Sequence, residues 1–196
     1  MSGTNSANNV SAGKPKVGGA VFAAPVSTSL PTSADASLNQ AFVNDGYISS
    51  DGVTRTFTPQ TGDDVKAWGG DVVLSTQTGK TDQYKLKFIE SMNKDVLKLI
   101  NGENNVTGDL ATGLKVVGNS KEAQPHAYVI DQVLKGNILY RIVLPNAVIS
   151  EIGDIVYKDD EPIGYECTLK ALPDSSGNTH YDYYKQGPSG ATGATA

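Results

Sequence analysis

Short apolar runs follow one another between residues 40 and 185, and each run ends in residues typical of turns. Runs such as DVVLSTQT, DQYKLKFIE and ILYRIVLP have the length and the β-branched and aromatic content of β-strands. Most connections between them are too short for the crossovers that parallel strands need. The pattern therefore predicts a mainly β chain of about ten strands, arranged as antiparallel sheets in a β-sandwich or barrel-like fold.

One segment has helical periodicity instead. The apolar residues of MNKDVLKLI share one face of a helix, and Ser91 before them is a suitable N-cap. Asn101-Gly102 favours termination of the helix. We therefore predict one flanking α-helix of about ten residues.

Three dipeptides predict where strands reverse direction. Asp51-Gly52 lies between two strand-like runs, and such a pair predicts a two-residue hairpin in which Ile48 pairs with Arg55. Gly79-Lys80 and Gly136-Asn137 are interpreted as turns in the same way.

The two ends of the chain differ from its middle. Residues 1–38 are mostly Ser, Ala, Gly, Asn, Thr and Pro, which bury too little apolar surface to offset the entropy cost of ordering. We expect a flexible N-terminal arm over 1–38, one β domain over 39–185, and a flexible C-terminal tail over 186–196. Because the arm contains Val21 and Phe22, it is either a disordered leader or a segment that becomes ordered on a neighbour.

The predicted hairpin around Gly136-Asn137 is apolar on both faces. We assign Val129, Asp131, Val133, Tyr140 and Ile142 to one face, and Tyr128, Ile130, Gln132, Leu134, Arg141 and Val143 to the other. A strand with one face in solvent should alternate apolar and polar residues. Either the sandwich is thick, or the second face contacts another subunit, which favours an oligomer.

Charge and hydropathy exclude several classes of protein. The formal net charge is -5, and Arg55 and Arg141 are the only arginines, so the chain lacks the basic face with which proteins grip nucleic acid. No apolar run is long enough to cross a membrane, so we expect no membrane insertion. The N-terminus has no secretory signal pattern, which indicates synthesis and folding in the cytoplasm.

Residues that could carry chemistry are few and scattered. His126 and His180 are the only histidines and form neither HExxH nor a close pair. Cys167 lies in the alternating run IGYECTLKAL and is interpreted as a small buried residue. The acidic turn at residues 159–161 lacks the spacing of a calcium loop. We therefore assign no catalytic residue, no metal ligand and no cofactor, and we do not expect an enzyme.

Two long runs have a distinctive pattern. They are GYISSDGVTRTFTPQTGDDVKAWGGDVVLSTQTGKTDQYKLKFIES and YRIVLPNAVISEIGDIVYKDDEPIGYECTLKAL, marked by Gly46-Tyr47, Asp51-Gly52-Val53, Ala67-Trp68-Gly69-Gly70, Pro145-Asn146-Ala147 and Ile163-Gly164-Tyr165. Together they resemble the major tail tube protein of long-tailed, non-contractile bacteriophages. The resemblance extends over roughly residues 41–174, which is most of the predicted domain.

The resemblance implies a structural protein of the virion tail, synthesised in the host bacterial cytoplasm. Subunits of this family are β-sandwiches with one helix that form hexameric rings, and the rings stack into a hollow tube through which genomic DNA passes. The strands that would line the tube here are residues 53–58, 71–76, 126–134 and 138–144. Besides copies of itself, the implied partners are a tape measure protein, a tail terminator and a distal tail protein.

The resemblance also implies a long loop that contacts the next ring, and the polar stretch 59–70 matches it in place and length. The candidate ring-stacking residues are Asp63, Asp64, Val65, Lys66 and Trp68. Trp68 is either an interface anchor or a core residue at the start of a strand.

DNA must slide through such a tube without sticking, so neutral and acidic residues are the candidates for its lumen. They are Thr54, Thr56, Thr58, Asp71, Ser75 and Gln132. Arg55, on the opposite face from the threonines, would point into the protein or a neighbour. Val21 and Phe22 are the candidates for docking the N-terminal arm on an adjacent subunit.

Other interpretations share parts of this pattern. A tail terminator, a capsid decoration protein or a secretion-system tube would have a similar fold. A carbohydrate-binding adhesin would need exposed aromatic residues, and Tyr181, Tyr183 and Tyr184 are the one dense aromatic cluster.

Overall fold

The computed structural model describes residues 5–188. Within them lie one α-helix, α1 (Lys94–Asn101), and two short 3₁₀ turns, Ala7–Asn9 and Glu103–Asn105. The strands are β1 (Lys14–Pro15), β2 (Val21–Pro25), β3 (Val43–Asn44), β4 (Thr54–Thr61), β5 (Val65–Lys66), β6 (Val72–Leu74), β7 (Gln77–Phe88), β8 (Val106–Thr107), β9 (Lys115–Val116), β10 (His126–Leu134), β11 (Ile138–Ile152), β12 (Tyr165–Ala171) and β13 (Tyr181–Gln186). The prediction of a mainly β fold with antiparallel sheets and one helix is confirmed.

The long strand β11 joins two halves of the main sheet, whose strand order is β3-β2-β10-β11-β12-β7-β4. The first part of β11, up to Ala147, pairs with β10 and β13, and the part after Ala147 pairs with β12. The two halves contribute to one buried core, in which Tyr128 and Leu144 from the first half pack with Phe88 and Leu169 from the second. Helix α1 adds Val96 to this core.

The hairpin β10–β11 turns at Gly136-Asn137, as the sequence predicts. Both turn residues have positive φ, at 78° and 60°, and Leu134 pairs with Ile138 across the turn. The predicted division of side chains between the faces is wrong, because this register pairs even-numbered residues with even-numbered ones. The sequence pattern placed Asp131 and Arg141 on opposite faces, but the two residues are direct cross-strand partners.

Both faces of this hairpin are covered, as predicted, and residues of the same chain cover them. On the face away from the main core, Ala127, Val129 and Val143 are buried in a second apolar cluster. Residues 26–42, here called the strap, cross this face, and Phe42 and Leu38 of the strap pack against the cluster together with Tyr181 and Tyr183 of β13. A neighbouring subunit is therefore not needed to bury this face.

The N-terminal arm differs from the expectation of a flexible segment. Residues 14–25 contribute two strands to the sheet: β1 pairs with the end of β10, and β2 pairs with its beginning. Val21 is fully buried and Phe22 is half-buried, and both side chains pack on apolar clusters of their own subunit. At the other end, Gln186 belongs to β13, and the predicted tail from residue 189 onward lies outside the described residues.

The segment before β4 also departs from its prediction. Asp51-Gly52 does form a turn, in which the amide of Gly52 donates to Ser49 at 3.0 Å, but no hairpin follows. Ile48 bridges to Phe88 and Thr54 pairs with Lys85, so the chain on both sides of the turn pairs with β7. The turn interrupts one long pairing and does not reverse the chain.

Helix α1 begins slightly later than predicted. Asn93 and not Ser91 caps it, and the Asn93 side chain accepts a hydrogen bond from the amide of Asp95 at 3.0 Å. Within residues 5–188, no helix is long and apolar enough to cross a membrane.

Candidate functional site: the β4–β7 hairpin and its tip

A long antiparallel hairpin of β4 and β7 forms the outer edge of the second half of the sheet. Its pairing runs from Thr54 opposite Lys85 to Thr61 opposite Gln77. Strand β12 pairs with β7 only between Phe88 and Gln83, so the rest of the hairpin continues as a two-stranded ribbon. The predicted turn at Gly79-Lys80 is wrong, because both residues lie inside β7.

The end of this ribbon carries residues 62–76, here called the tip. The amide of Gly62 donates to the carbonyl of Thr76 at 2.8 Å and closes the tip at its base, while β5 and β6 pair within it. Of the predicted strand 71–76, only Val72–Leu74 is a strand, and it pairs with β5 inside the tip, whereas the partner of β4 is β7.

The tip exposes apolar side chains to an unusual degree. Trp68 is fully exposed, and Val65, Val72, Val73 and Leu74 are each more than half exposed. The interpretation of Trp68 as a core residue is thereby excluded for the isolated chain. Because contiguous exposed apolar patches on soluble proteins mark interaction sites, the tip has the character of a contact surface.

The predicted ring-stacking residues all belong to the tip and are all exposed: Asp63, Asp64, Val65, Lys66 and Trp68. Asp71 and Ser75, predicted for the lumen, lie on the same tip and are exposed as well. The structure thus brings the ring-stacking candidates and two of the six lumen candidates onto one surface. The sequence pattern did not predict that the apolar run Val72–Leu74 is exposed, because the run resembles a strand of the main sheet.

A network of charged groups fixes the root of the hairpin. Asp82 has a fully buried carboxylate, which accepts a hydrogen bond from the Arg55 Nε at 2.9 Å and lies 2.7 Å from the His180 Nδ1. Thr179 donates to the same carboxylate at 2.9 Å, and Arg55 also lies 3.8 Å from Asp182. Buried charges are stable only when paired in this way. The network connects β4 and β7 to the chain entering β13.

The guanidinium of Arg55 also lies over two aromatic rings, at 5.0 Å from the centroid of Phe57 and 5.5 Å from that of Tyr84. Arg55 therefore points away from the threonines of β4 and into its own subunit. Burial, with a smaller contribution from Asp82, raises the pKa of the Tyr84 hydroxyl, so that group stays neutral at physiological pH.

The threonines of β4 lie on the opposite, polar face of the hairpin. Thr54, Thr56 and Thr58 are exposed and pair with Lys85, Gln83 and Thr81 of β7. Alternation along paired strands places Lys85, Lys87, Lys170, Glu151 and Glu166 on this face too. The Lys85 ammonium is held 2.8 Å from the Glu166 carboxylate, and that hydrogen bond raises the pKa of Lys85.

Gln132 is separated from the other lumen candidates. It pairs with Pro15 of β1 and Tyr140 of β11, and it is half-buried on the side of the sheet that faces the main core. The aromatic cluster of β13 is similarly divided: Tyr181 and Tyr183 pack on the second apolar cluster, while Tyr184 stacks on Tyr140 with ring centroids 4.3 Å apart. These tyrosines do not form one exposed aromatic platform.

The groups that could carry chemistry lie apart from one another. Cys167 is fully buried, and burial raises the pKa of its thiol to about 12. Burial lowers the pKa of the His126 imidazole. His180 belongs to the network around Asp82. Among residues 5–188, no group of three or more His, Cys, Asp or Glu side chains could hold a metal ion.

Comparison with known proteins supports the interpretation of the exposed hairpin as a surface that contacts other subunits. No curated protein sequence matches this chain significantly. A family model described as phage tail tube protein, however, matches residues 3–194, which is nearly the whole chain. The chain therefore belongs to the phage tail tube protein family.

Proposed function

We propose that this chain is the repeating subunit of a phage tail tube, in which hexameric rings stack to form a hollow conduit for genomic DNA. Membership of the family gives the chain a structural role in the virion tail. The observation that carries the finer proposal is the tip, which exposes Trp68 and its apolar neighbours at the end of a projecting ribbon. Such a surface needs a partner, and a tube supplies one in every adjacent ring.

Stacking through the tip is favourable on simple energetic grounds. Full burial of a valine, leucine or larger apolar side chain contributes about 1.5–3 kcal/mol. A single tip would bind weakly after the costs of association. A ring presents its tips together, and each further contact becomes intramolecular once the first has formed. Rings would therefore stack firmly although two isolated subunits would bind each other only weakly through one tip.

The threonine face of β4 is our candidate for the DNA-facing surface. Hydroxyl groups add no positive charge, and the three lysines on this face (Lys85, Lys87 and Lys170) are nearly balanced by Glu151 and Glu166, with Lys85 paired to Glu166. Asp71 and Ser75 would line the lumen only where the tip reaches it, and Gln132 only near the end of β10. The tape measure protein, the tail terminator and the distal tail protein are proposed partners at the inside and at the two ends of the tube.

Negative-stain electron microscopy tests the proposal directly. Tails sheared from purified virions, and the purified chain after concentration, should contain hollow tubes of uniform width with a regular axial repeat. End-on views should show six subunits in each ring. Labelling with an antibody against this chain should decorate the tube along its whole length. Label confined to a tail end or to the capsid would instead identify a terminator or a decoration protein.

A further inference from the structure

A preformed apolar cavity lies at the end of the subunit remote from the tip. It has a volume of roughly 480 Å³ and is lined by Pro15, Val17 and Ala20 from the β1–β2 turn, by Tyr47 and Ile48, and by Glu90 after β7. Cavities of about 300–1,000 Å³ accommodate organic groups well beyond the size of one side chain. This cavity is therefore large enough for an aromatic side chain and part of its neighbours.

Hydrogen bonds hold the walls of the cavity in place. The Glu90 carboxylate accepts from the amide of Tyr47 at 2.8 Å and from the side chain of Asn93 at 2.9 Å. The Asn44 side chain donates to the carbonyl of Gly18 at 2.9 Å and supports the turn between β1 and β2. A cavity fixed in this way needs little ordering when it is filled, which lowers the cost of binding.

The rim of the cavity presents apolar groups without cover. Val17 in the β1–β2 turn is 99% exposed, and Tyr47 in the cavity wall is 76% exposed. Both side chains would gain contacts from an occupant that enters between them. The rim also carries one charge of each sign, Lys16 and Glu90.

The cavity and the tip lie at opposite ends of the same strand. The tip precedes Gln77, the first residue of β7, whereas Ile48 in the cavity wall bridges to Phe88, its last residue. A strand of this length extends over roughly 40 Å. The tip of one copy therefore cannot reach its own cavity, but it can reach the cavity of another copy. A head-to-tail contact between opposite ends of identical subunits generates a filament unless its rotation closes it into a ring.

We propose that the cavity is the acceptor for the tip of a second copy of this chain, with the indole of Trp68 as the group that enters it. This inference rests on the proposed stacking of rings and identifies the partner surface. The tip has the matching chemistry. Trp68 is its largest exposed apolar side chain, Lys66 is opposite in charge to Glu90, and Asp63 and Asp64 are opposite in charge to Lys16, which also lies 3.5 Å from Asp131. Aromatic side chains seated in pockets typically dominate interface energy.

Chemical cross-linking distinguishes this acceptor from a second apolar groove. That groove lies beside Val10, Val133 and Leu134, near the β10–β11 turn. Tubes are prepared from two double variants, Lys66→Cys with Val17→Cys and Lys66→Cys with Val10→Cys, and are treated with a short bismaleimide. Val17 and Val10 are both strongly exposed, so both substitutions leave the fold intact, and Cys167 is buried and does not react.

We expect covalent ladders, visible on denaturing gels, from the Val17→Cys pair and only monomer from the Val10→Cys pair. Tubes that form but give no ladder with Val17→Cys, or a ladder with Val10→Cys alone, would overturn the acceptor and leave the tube function standing. Absence of this chain from isolated tubes would overturn both.

The tryptophan gives an independent readout, because Trp68 is the only tryptophan in the chain. When the purified chain assembles, its fluorescence should shift to shorter wavelength and become protected from iodide quenching. The charge-bearing variant Val17→Asp should prevent assembly and leave the emission unshifted, whereas the matched control Val10→Asp should behave as the parent does. Tubes with a fully quenchable Trp68, or normal assembly of Val17→Asp, would exclude the proposal.

Discussion

Arg141 and Asp131 form a bidentate ion pair inside the subunit, with the Arg141 Nε and Nη2 at 2.6 and 2.7 Å from the two carboxylate oxygens. Both residues are almost completely buried. The remaining nitrogen, Nη1, donates to the carbonyls of Ser33 and Ala36 in the strap, at 3.1 and 2.7 Å. One guanidinium therefore connects the central hairpin to the segment that covers its outer face.

Replacing Arg141 should consequently destabilise the whole subunit. Arg141→Met leaves the Asp131 carboxylate buried with only the half-exposed Lys16 nearby, at 3.5 Å. Breaking one side of a buried pair costs about 3–5 kcal/mol, and urea unfolding followed by circular dichroism should show a loss of that size.

The control for this substitution is Lys185→Ala, which removes the surface pair between Lys185 and Asp35 of the same strap. Both members of that pair are exposed, so unfolding should hardly change. An equal loss in the two variants would mean that the strap, and not the buried pair, accounts for the effect.

Asp45 makes the fold sensitive to pH in an unusual direction. Its side chain is buried, its Oδ2 has no hydrogen-bond partner among residues 5–188, and burial, followed by repulsion from Asp95, raises its pKa well above the ordinary value. The unfolded chain then releases this proton at lower pH than the folded chain does. Above about pH 4, the pKa of an unperturbed carboxyl, this group therefore favours the unfolded state increasingly as pH rises.

Asp45→Asn should remove that penalty. The variant should unfold at a higher temperature than the parent at pH 7, and the difference should shrink as the pH falls toward 4. Differential scanning calorimetry of both proteins over this range gives the comparison. A pH-independent difference would show that the amide acts through packing alone.

The elements that the sequence predicts well are those whose partners are close in the chain. Gly136-Asn137 lies between two strongly apolar runs, so the turn and both strands follow from local chemistry. The helix follows from its own periodicity, although Asn93 provides the cap. In these segments local preference and the final fold agree.

Prediction fails where distant pairing decides the structure. Asp51-Gly52 is a good hairpin turn, but β7 pairs with the chain on both sides of it and buries Tyr84, Leu86 and Phe88 in the core. Strand β2 was missed because its residues Ala23 and Ala24 resemble the small residues of a disordered arm. In the structure they pair with β10 and are buried, Ala23 in the main core and Ala24 in the second apolar cluster. For the site, the sequence placed a loop at 59–70, but residues 59–61 extend β4 and the tip continues to residue 76, because β7 and not 71–76 pairs with β4.

The buried carboxylate of Asp82 should control the rigidity of the β4–β7 ribbon. Asp82→Asn weakens its contacts with Arg55 and His180, and hydrogen bonds to charged groups contribute about 1.5–3 kcal/mol. Amide hydrogen exchange should become faster at residues 54–61 and 77–82, and change less in β10. Asp182→Asn is the matched control: its carboxylate lies farther from Arg55, so its effect should be smaller. Uniformly faster exchange throughout the chain would contradict a local role.

Removing the tip should separate assembly from folding. Residues 63–75 can be replaced by Asn-Gly, because Gly62 and Thr76 already approach each other and a two-residue turn closes such a ribbon. The tip contributes no residue to either apolar cluster, so circular dichroism and thermal unfolding should remain those of the parent.

Electron microscopy of the shortened chain should show no stacked tubes. The milder variant Trp68→Ala should change the unfolding free energy by no more than about 0.5 kcal/mol, as expected for a fully exposed side chain. It should nevertheless weaken assembly, which sedimentation across a concentration series can measure. Normal tubes from the shortened chain would show that rings stack through another surface. Because the fold is unaffected in both variants, lost assembly can be assigned to the tip itself.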